Sequence, residues 1–177
     1  TAKVLFNSKI KDSFEIVNGE DIRYWYLEDR YKKNTGQVGS SCMRYKSCQT
    51  YLDIYVENPD VCNLLILRDG DFILGRALLW TDTNNKKWID RVYTYKDTYN
   101  NLFSNWAKNN GYDDAYRTED KIMIKLIDKA RYDEYPYMDT FRYFKVYEDG
   151  DDDEGCFLSN SNSIIESIMN IALIGYG

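Results

Sequence analysis

The 177-residue sequence contains no histidine. Histidine is the usual general base near neutral pH and the commonest metal ligand in proteins. Its absence excludes Ser-His-Asp and Cys-His catalysis and the histidine-based zinc sites of metalloproteases. Any chemistry would depend on carboxylates, tyrosine, lysine or cysteine with a shifted pKa. The sequence therefore predicts no catalytic residue, no metal site and no cofactor, and it favours a protein that is not an enzyme without excluding one.

Long apolar runs are absent as well. Apolar runs are only a few residues long, as at 171–174, whereas a membrane-spanning helix needs about 20 apolar residues. The pattern of a signal peptide is also missing. No C-x-x-C pair occurs among the four cysteines, which is typical of free thiols in a reducing compartment; these are Cys42, Cys48, Cys62 and Cys156. We therefore expect a cytoplasmic protein without a membrane partner.

An excess of positive charge is the third absence. The chain has 23 basic and 29 acidic residues, which gives a net charge of −6. A nucleic-acid binder needs a basic surface to displace counterions, so we expect no nucleic-acid partner. By contrast, tyrosine is abundant, with 17 residues, and its apolar ring and polar hydroxyl suit protein interfaces. The composition favours a protein partner and leaves the oligomeric state open.

The order of apolar patterns predicts the fold. Helices are expected over 19–32, 48–57, 97–109 and 163–174. Strands are expected over 61–67, 72–80, 88–95, 121–127 and 140–147, with an edge strand or extended arm within 1–18. Near-continuous apolar strands indicate a sheet that is covered on both faces. We predict an α+β fold with a central mixed, mainly antiparallel sheet and helices on both faces.

The length and the lack of a linker rich in proline, glycine or serine predict one domain over residues 1–177. The apolar helix expected over 163–174 ends so close to Gly177 that the protein could continue beyond it.

Arg76 is the most informative residue, because it lies within the apolar run 72–80. Side chains alternate between the two faces of a strand, so strict alternation places Arg76 on one face with Phe72, Leu74, Leu78 and Trp80. An unpaired cation is very costly to bury. Arg76 therefore needs an anion, which is either another residue of the chain or a ligand.

Asp90 is the predicted internal partner. If Trp80 pairs with Trp88 across the loop between two strands, Arg76 falls opposite Val92 and diagonal to Asp90. We predict an Arg76–Asp90 ion pair. The alternative is that Arg76 holds a bound anion.

A second candidate surface is formed by Arg91 and Tyr93, which fall on the opposite face of the same strand. Gly75 would let a ligand or another backbone approach the sheet closely. Asp139 lies in the aromatic segment 135–141, which could form either a rim of a site or a rigid strand entry. The candidate ligand-binding residues are therefore Arg76, Asp90, Arg91, Tyr93 and Asp139.

Three other features have an ordinary structural interpretation and a functional one. The glycine-rich segment 34–41 is expected to be a flexible loop, with a phosphate cradle as the alternative. Cys42 is expected to be a structural thiol, since no histidine can activate it as a nucleophile. The acidic run 148–154 is expected to be a solvated hairpin tip, with a cation or a basic partner as the alternative.

Two resemblances add to these expectations. The segments 75–80 (GRALLW), 90–94 (DRVYT) and 136–141 (PYMDTF) resemble an uncharacterised protein family of tailed bacteriophages over roughly residues 42–160. That family has no assigned activity, so the resemblance implies a viral origin. It also implies a location in the host cytoplasm or in the virion.

The segment 61–80, with the helix over 97–109, is similar to the central hairpin and cofactor-side helix of the Gcn5-related N-acetyltransferase superfamily. That family grips acetyl-CoA with an Arg/Gln-x-x-Gly-x-Gly/Ala turn before the helix. The junction here, residues 93–98, contains no glycine, and its Asp97 would repel a phosphate. The resemblance implies an acetyltransferase-like fold with an altered cofactor site.

These observations predict a non-catalytic phage accessory protein that binds a host or phage protein, as an inhibitor of a host defence or enzyme or as a minor virion component. One alternative is an acyltransferase-like enzyme, with Asp90 or Asp139 as base and Tyr93 as acid. The other is a binder of a small anionic ligand through Arg76 and Arg91.

Overall fold

The structure is a computed structural model that describes residues 13–32, 36–127, 140–141, 143–147 and 155–163. The predicted extended arm before residue 13, Asp139, the acidic run 148–154 and the helix expected beyond residue 163 lie outside the described residues. Of the helices that the structure describes, none combines the length and apolarity needed to cross a bilayer.

The central sheet has six strands in the order β1-β2-β3-β4-β6, and β5 pairs with β3 beside β4. Their bounds are β1 (Phe14–Val17), β2 (Cys62–Asp69), β3 (Phe72–Thr81), β4 (Lys87–Ile89), β5 (Tyr93–Thr94) and β6 (Asp113–Asp114). The paired strands run antiparallel except β4 and β6, which are parallel. A second, antiparallel sheet has the order β7-β9-β8, with bounds β7 (Met123–Leu126), β8 (Tyr143–Tyr147) and β9 (Gly155–Ser159). The prediction of an α+β fold with a mixed, mainly antiparallel sheet is confirmed.

Within the described ranges, the α-helices between these strands are α1 (Glu20–Tyr26), α2 (Asp53–Val56) and α3 (Asn100–Asn109). The helix expected over 48–57 is mostly a 3₁₀ helix, Lys46–Leu52, that continues into the short α2. Asp97 begins the helix expected over 97–109, and its side chain suits an N-cap, but it does not cap the helix. Lys96 holds the cap position, and Asp97 lies in the first turn of the 3₁₀ segment Asp97–Tyr99 that precedes α3, where its charge still favours the helix dipole.

The sheet separates two apolar clusters. The first cluster lies between one face of β2 and β3 and a cover made of α1, α2 and the three-stranded sheet; Trp80, Tyr55 and Ile22 are among its fully buried members. The second cluster lies on the opposite face, where Phe103 and Ala107 of α3 pack on the sheet. Burying each large apolar side chain contributes about 1.5–3 kcal/mol. Burial on both faces explains why β2 and β3 are almost continuously apolar.

The register agrees with one prediction and contradicts another. Trp80 pairs with Trp88 as predicted. However, Arg76 pairs with Tyr93 rather than with Val92, because one extra residue is accommodated between β4 and β5. The backbone N–H of Asp90 still donates to the carbonyl of Leu78 at 2.8 Å, and the chain then leaves the ladder before β5 begins.

A β-bulge changes the facing of β3 at its start. Leu67 pairs with Gly75 and Arg68 pairs with Ile73, which leaves Leu74 without a partner in β2. As a result, Ile73 belongs to the first cluster and Leu74 to the second. The prediction that Leu74 shares a face with Arg76 is wrong, since strict alternation does not continue through a bulge.

The glycine-rich segment packs against the sheet. It forms a 3₁₀ helix, Gly36–Ser40, in which Val38 is buried in the first cluster. Gly36 has φ +53°, and a Cβ placed on it would lie 2.4 Å from the carbonyl oxygen of Tyr95. A glycine is required there both by the backbone conformation and by the close approach to Tyr95.

Gly36→Ala is expected to lower the free energy of unfolding by about 3 kcal/mol, because overpacking adds to the cost of a left-handed conformation. Gly70→Ala is the matched control. Gly70 has φ +59° but nothing within 4 Å of an added Cβ, so this variant should lose only about 1 kcal/mol. Urea denaturation measures both values, and equal losses would contradict the packing argument.

Candidate functional site

Arg76 lies in β3 with its guanidinium inside the protein, and only 1% of the residue is exposed. Three tyrosine rings surround it. The guanidinium carbon is 4.4 Å from the ring centroid of Tyr26, 5.5 Å from that of Tyr93 and 5.9 Å from that of Tyr31. Nη1 donates a hydrogen bond to the Tyr31 hydroxyl at 3.0 Å, whereas the buried Nε and Nη2 have no hydrogen-bond partner among the described residues. Aromatic faces, rather than a carboxylate, therefore stabilise this cation.

The protonation of this group is well defined. Burial alone would lower the pKa of Arg76, but its contacts with Tyr31 and Tyr26 more than offset this and raise it above its ordinary value. Burial raises the pKa of Tyr31, although the nearby charge of Arg76 opposes the shift. At neutral pH Arg76 is therefore charged and the phenol of Tyr31 is neutral.

Asp90 has other partners, so the predicted Arg76–Asp90 ion pair is wrong. Oδ2 of Asp90 accepts hydrogen bonds from Nε1 of Trp80 at 3.0 Å and from Oγ1 of Thr140 at 2.9 Å. Oδ1 accepts the backbone N–H of Arg91 at 2.8 Å. Burial raises the pKa of Asp90, and these three hydrogen bonds oppose the shift. Asp90 keeps the predicted position opposite Leu78, but these donors occupy its carboxylate, and alternation of side chains along a strand does not reveal such partners.

The two paired tryptophans are anchored in the same way. Trp88 donates its indole N–H to Oδ2 of Asp82 at 2.9 Å, while Oδ1 of Asp82 accepts the backbone N–H groups of Asn84 and Lys86. Each of the two indole N–H groups thus donates a hydrogen bond to a buried carboxylate, so neither donor is left unsatisfied.

A cavity of about 530 Å³ opens beside Asp90, which we call the larger cavity. It lies between α3, the β4–β5 connection and the segment 112–117. Its lining includes three cationic residues, Arg91, Lys108 and Arg117, and three tyrosines, Tyr93, Tyr112 and Tyr116. A volume of this size is typical of sites for small molecules.

Arg91 is held in place at the wall of this cavity. Its guanidinium carbon lies 4.3 Å from the ring centroid of Tyr116, and its Nη1 donates to the Tyr93 hydroxyl at 3.4 Å. Among the described residues, the acidic ones that line the cavity are Asp90, whose oxygens accept hydrogen bonds from the protein, and Asp114. Asp114 faces Arg117 at 4.0 Å in an exposed pair, so these two charges offset each other and leave Arg91 and Lys108 against the single carboxylate of Asp90. The larger cavity is therefore locally positive although the protein is acidic.

A second cavity of about 400 Å³, the smaller cavity, lies on the other side of the Arg91–Tyr116 stack. It shares Asp90, Arg91 and Tyr116 with the larger cavity. The other described residues of its lining are uncharged: Ala115, Thr118, Thr140, Phe141, Tyr143 and Asn160.

The structure brings together three of the five predicted site residues: Asp90, Arg91 and Tyr93 line the larger cavity. Arg76 contacts the Tyr93 ring but does not line either cavity. Asp139 lies outside the described residues.

Sequence reasoning missed Lys108, Arg117, Tyr112 and Tyr116. Lys108 is on the polar face of a helix and Arg117 is in a loop, so no periodic pattern marks either of them. Cys42 is exposed, which contradicts a buried structural role. In the part of the chain that the structure describes, no group of three or more cysteine, aspartate or glutamate residues could hold a metal ion.

Arg76→Met is expected to leave the free energy of unfolding unchanged or to raise it by up to about 3 kcal/mol. It removes a buried cation whose Nε and Nη2 nitrogens have no hydrogen-bond partner among the described residues. Arg76→Lys keeps the charge but loses the planar group that stacks on the tyrosines, so it should cost about 2 kcal/mol. Urea denaturation measures both variants. A loss of more than about 2 kcal/mol in Arg76→Met would show that the aromatic contacts outweigh the cost of burial.

Asp90 predicts a pH dependence of stability. Its pKa is higher in the folded protein than its ordinary value, so the folded state holds the proton more tightly. The stability that this tighter proton binding contributes is fully present below the ordinary pKa of an aspartate. It is lost as the pH rises through the raised pKa of Asp90. The stability advantage of the wild type over Asp90→Asn should therefore shrink as the pH rises from about 4. Urea titrations across this range test the sign, and an advantage that grows with pH would refute it.

Comparison of the chain with protein-family models, curated proteins and solved structures gave no match in any of the three. The resemblances to a phage family and to the acetyltransferase superfamily therefore stay predictions. The geometry of the two cavities and the charges that line them are the features of this protein that bear on its function.

Proposed function

We propose that the protein is a non-catalytic binding protein that holds a small organic anion in the larger cavity. The observation that carries this proposal is the convergence of Arg91, Lys108 and Arg117 on one cavity of about 530 Å³ in a protein whose net charge is −6. Three cations on one concave surface of an acidic protein attract an anion locally, whereas they give no extended basic surface for a nucleic acid.

Arg91 is the central residue of the proposed site. Its stack on Tyr116 and its hydrogen bond to Tyr93 hold the guanidinium in one orientation before any ligand arrives. A positioned guanidinium binds carboxylate or phosphate through two parallel hydrogen bonds, and little further ordering is required. Lys108 and Arg117 are exposed and add long-range attraction rather than directional contacts.

Asp90 favours binding over catalysis in this site. Its carboxylate accepts three hydrogen bonds from Trp80, Thr140 and the Arg91 backbone. A general base needs a free lone pair directed at its substrate, whereas this carboxylate is occupied in holding the strands and Arg91 in place. The raised pKa of Asp90 beside Tyr93 is nevertheless the one observation that favours the enzyme alternative. Stabilisation by acetyl-CoA or CoA, with acyl transfer lost in Asp90→Asn, would support that alternative.

The test of the proposal is a thermal-shift titration of the full chain with inorganic pyrophosphate and with citrate. We expect a concentration-dependent rise in Tm with at least one of them, since a ligand at about 100 times its Kd stabilises the folded state by about 2.7 kcal/mol. The double variant Lys108→Met with Arg117→Met should bind about tenfold more weakly, because each exposed cation contributes about 1 kcal/mol or less.

Lys125→Met is the matched control, since Lys125 is exposed and lines neither cavity. It should bind as the wild type does. Stabilisation by neither anion, or an equal loss in the double variant and the control, would overturn the proposal.

The expectation of a phage accessory protein with a host or phage protein as partner is a separate proposal, which the tyrosine-rich, acidic composition supports. Affinity capture from infected cells, followed by binding of the purified partner, tests it.

A further inference from the structure

We infer that the two cavities form one bipartite site whose ligand is a phosphorylated sugar, with the phosphate in the larger cavity and the sugar in the smaller one. This inference rests on the proposed function, and it adds the chemical class of the ligand. The observation that carries it is the difference in chemistry between two cavities that share one wall.

The shared wall consists of Asp90, Arg91 and Tyr116. Tyr116 is 58% exposed, and its main contact is the stack on the Arg91 guanidinium at 4.3 Å. Both cavities are lined by Arg91 itself, so this stack need not open. A ligand can therefore extend from one cavity into the other along the Arg91 side chain.

The larger cavity supplies the cationic part of the site. Arg91, Lys108 and Arg117 fit a group with two negative charges better than a single carboxylate. The exposed Asp114 offsets part of the charge of Arg117, so Arg91 supplies the directional phosphate contacts and Lys108 most of the added positive charge.

The smaller cavity supplies neutral hydrogen-bonding groups. The hydroxyl of Thr118 accepts the backbone N–H of Asp120 at 3.0 Å, and its own hydrogen can be donated to a ligand. The Asn160 carboxamide accepts from Ile122 and donates to Asp120, so it is fixed in orientation and keeps one further donor and acceptor. Tyr143 adds a phenolic hydroxyl. Paired donors and acceptors without charge match the hydroxyl groups of a sugar.

The aromatic lining is consistent with the same class of ligand. Tyr116 borders both cavities, and Phe141 lines the smaller one. Rings of this kind cover the apolar C–H face of a sugar, while the hydroxyl groups at its edge bind the polar side chains. A free sugar phosphate and a nucleotide share this chemistry, and they differ in whether a base extends beyond the sugar.

Isothermal titration of the full chain with four probes tests the inference: inorganic phosphate, ribose, ribose 5-phosphate and adenosine 5′-monophosphate. We expect ribose 5-phosphate to bind at least tenfold more tightly than inorganic phosphate, and ribose alone not to bind. Tighter binding of adenosine 5′-monophosphate than of ribose 5-phosphate identifies a nucleotide as the ligand. Weaker binding identifies a free sugar phosphate.

Two variants then locate each part of the ligand. Lys108→Met should weaken the binding of both inorganic phosphate and ribose 5-phosphate. Lys125→Met is the control. Thr118→Val should weaken the binding of ribose 5-phosphate at least threefold and leave the binding of inorganic phosphate unchanged. Thr98→Val, at an exposed threonine, is the control. Circular dichroism and Tm confirm that each variant is folded.

The failures of the two proposals are distinguishable. If inorganic phosphate and ribose 5-phosphate bind equally, or if Thr118→Val changes neither, the bipartite site is refuted while anion binding in the larger cavity stands. If no anionic probe binds here and the pyrophosphate and citrate titrations also show no stabilisation, the proposed function itself is refuted.

Discussion

The hydrogen bonds of the Asp90 carboxylate are the interaction on which the rest of this site depends. Asp90 follows β4 directly, and it joins an indole of β3, a backbone amide of the next residue and a hydroxyl of Thr140, which lies 50 residues further along the chain. These bonds hold the chain where it leaves the ladder between β4 and β5. Arg91, the next residue, is thereby presented to the larger cavity.

Arg76 shows how the same sheet tolerates a charge inside its core. A carboxylate partner would have neutralised it, but its neighbours are the rings of Tyr26, Tyr31 and Tyr93 and the hydroxyl of Tyr31. Tyr93 connects the two arginines, since its ring faces Arg76 and its hydroxyl accepts from Arg91. The buried cation and the cavity cation are thus linked through one side chain.

The abundance of tyrosine acquires a physical meaning from these contacts. Described tyrosines stack on arginine or lysine side chains at several positions, including Tyr24 on Arg30, Tyr45 on Arg44 and Tyr116 on Arg91. Such contacts hold a guanidinium in place without neutralising it. In this protein, which has no histidine, the described tyrosines hold several cationic side chains in position. A positioned and charged guanidinium suits the binding of an anion better than the transfer of a proton.

The sequence by itself determined the parts of the fold that depend on local patterns. The hairpin of β2 and β3, the pairing of Trp80 with Trp88 and the helix α3 all follow from alternation, turn chemistry and helical periodicity over a few neighbouring residues. The mainly antiparallel sheet follows from the same patterns, because each strand carries its own apolar signal.

Only the tertiary structure decided the partners of Arg76 and the composition of the cavities. A bulge at Leu74 and one extra residue between β4 and β5 shifted the faces and the register, and neither irregularity has a signal in the alternation. Lys108, Tyr116 and Arg117 reach Arg91 from a helix and a loop. Contacts of this kind depend on how separate elements pack, and so no pattern within a single element could predict them.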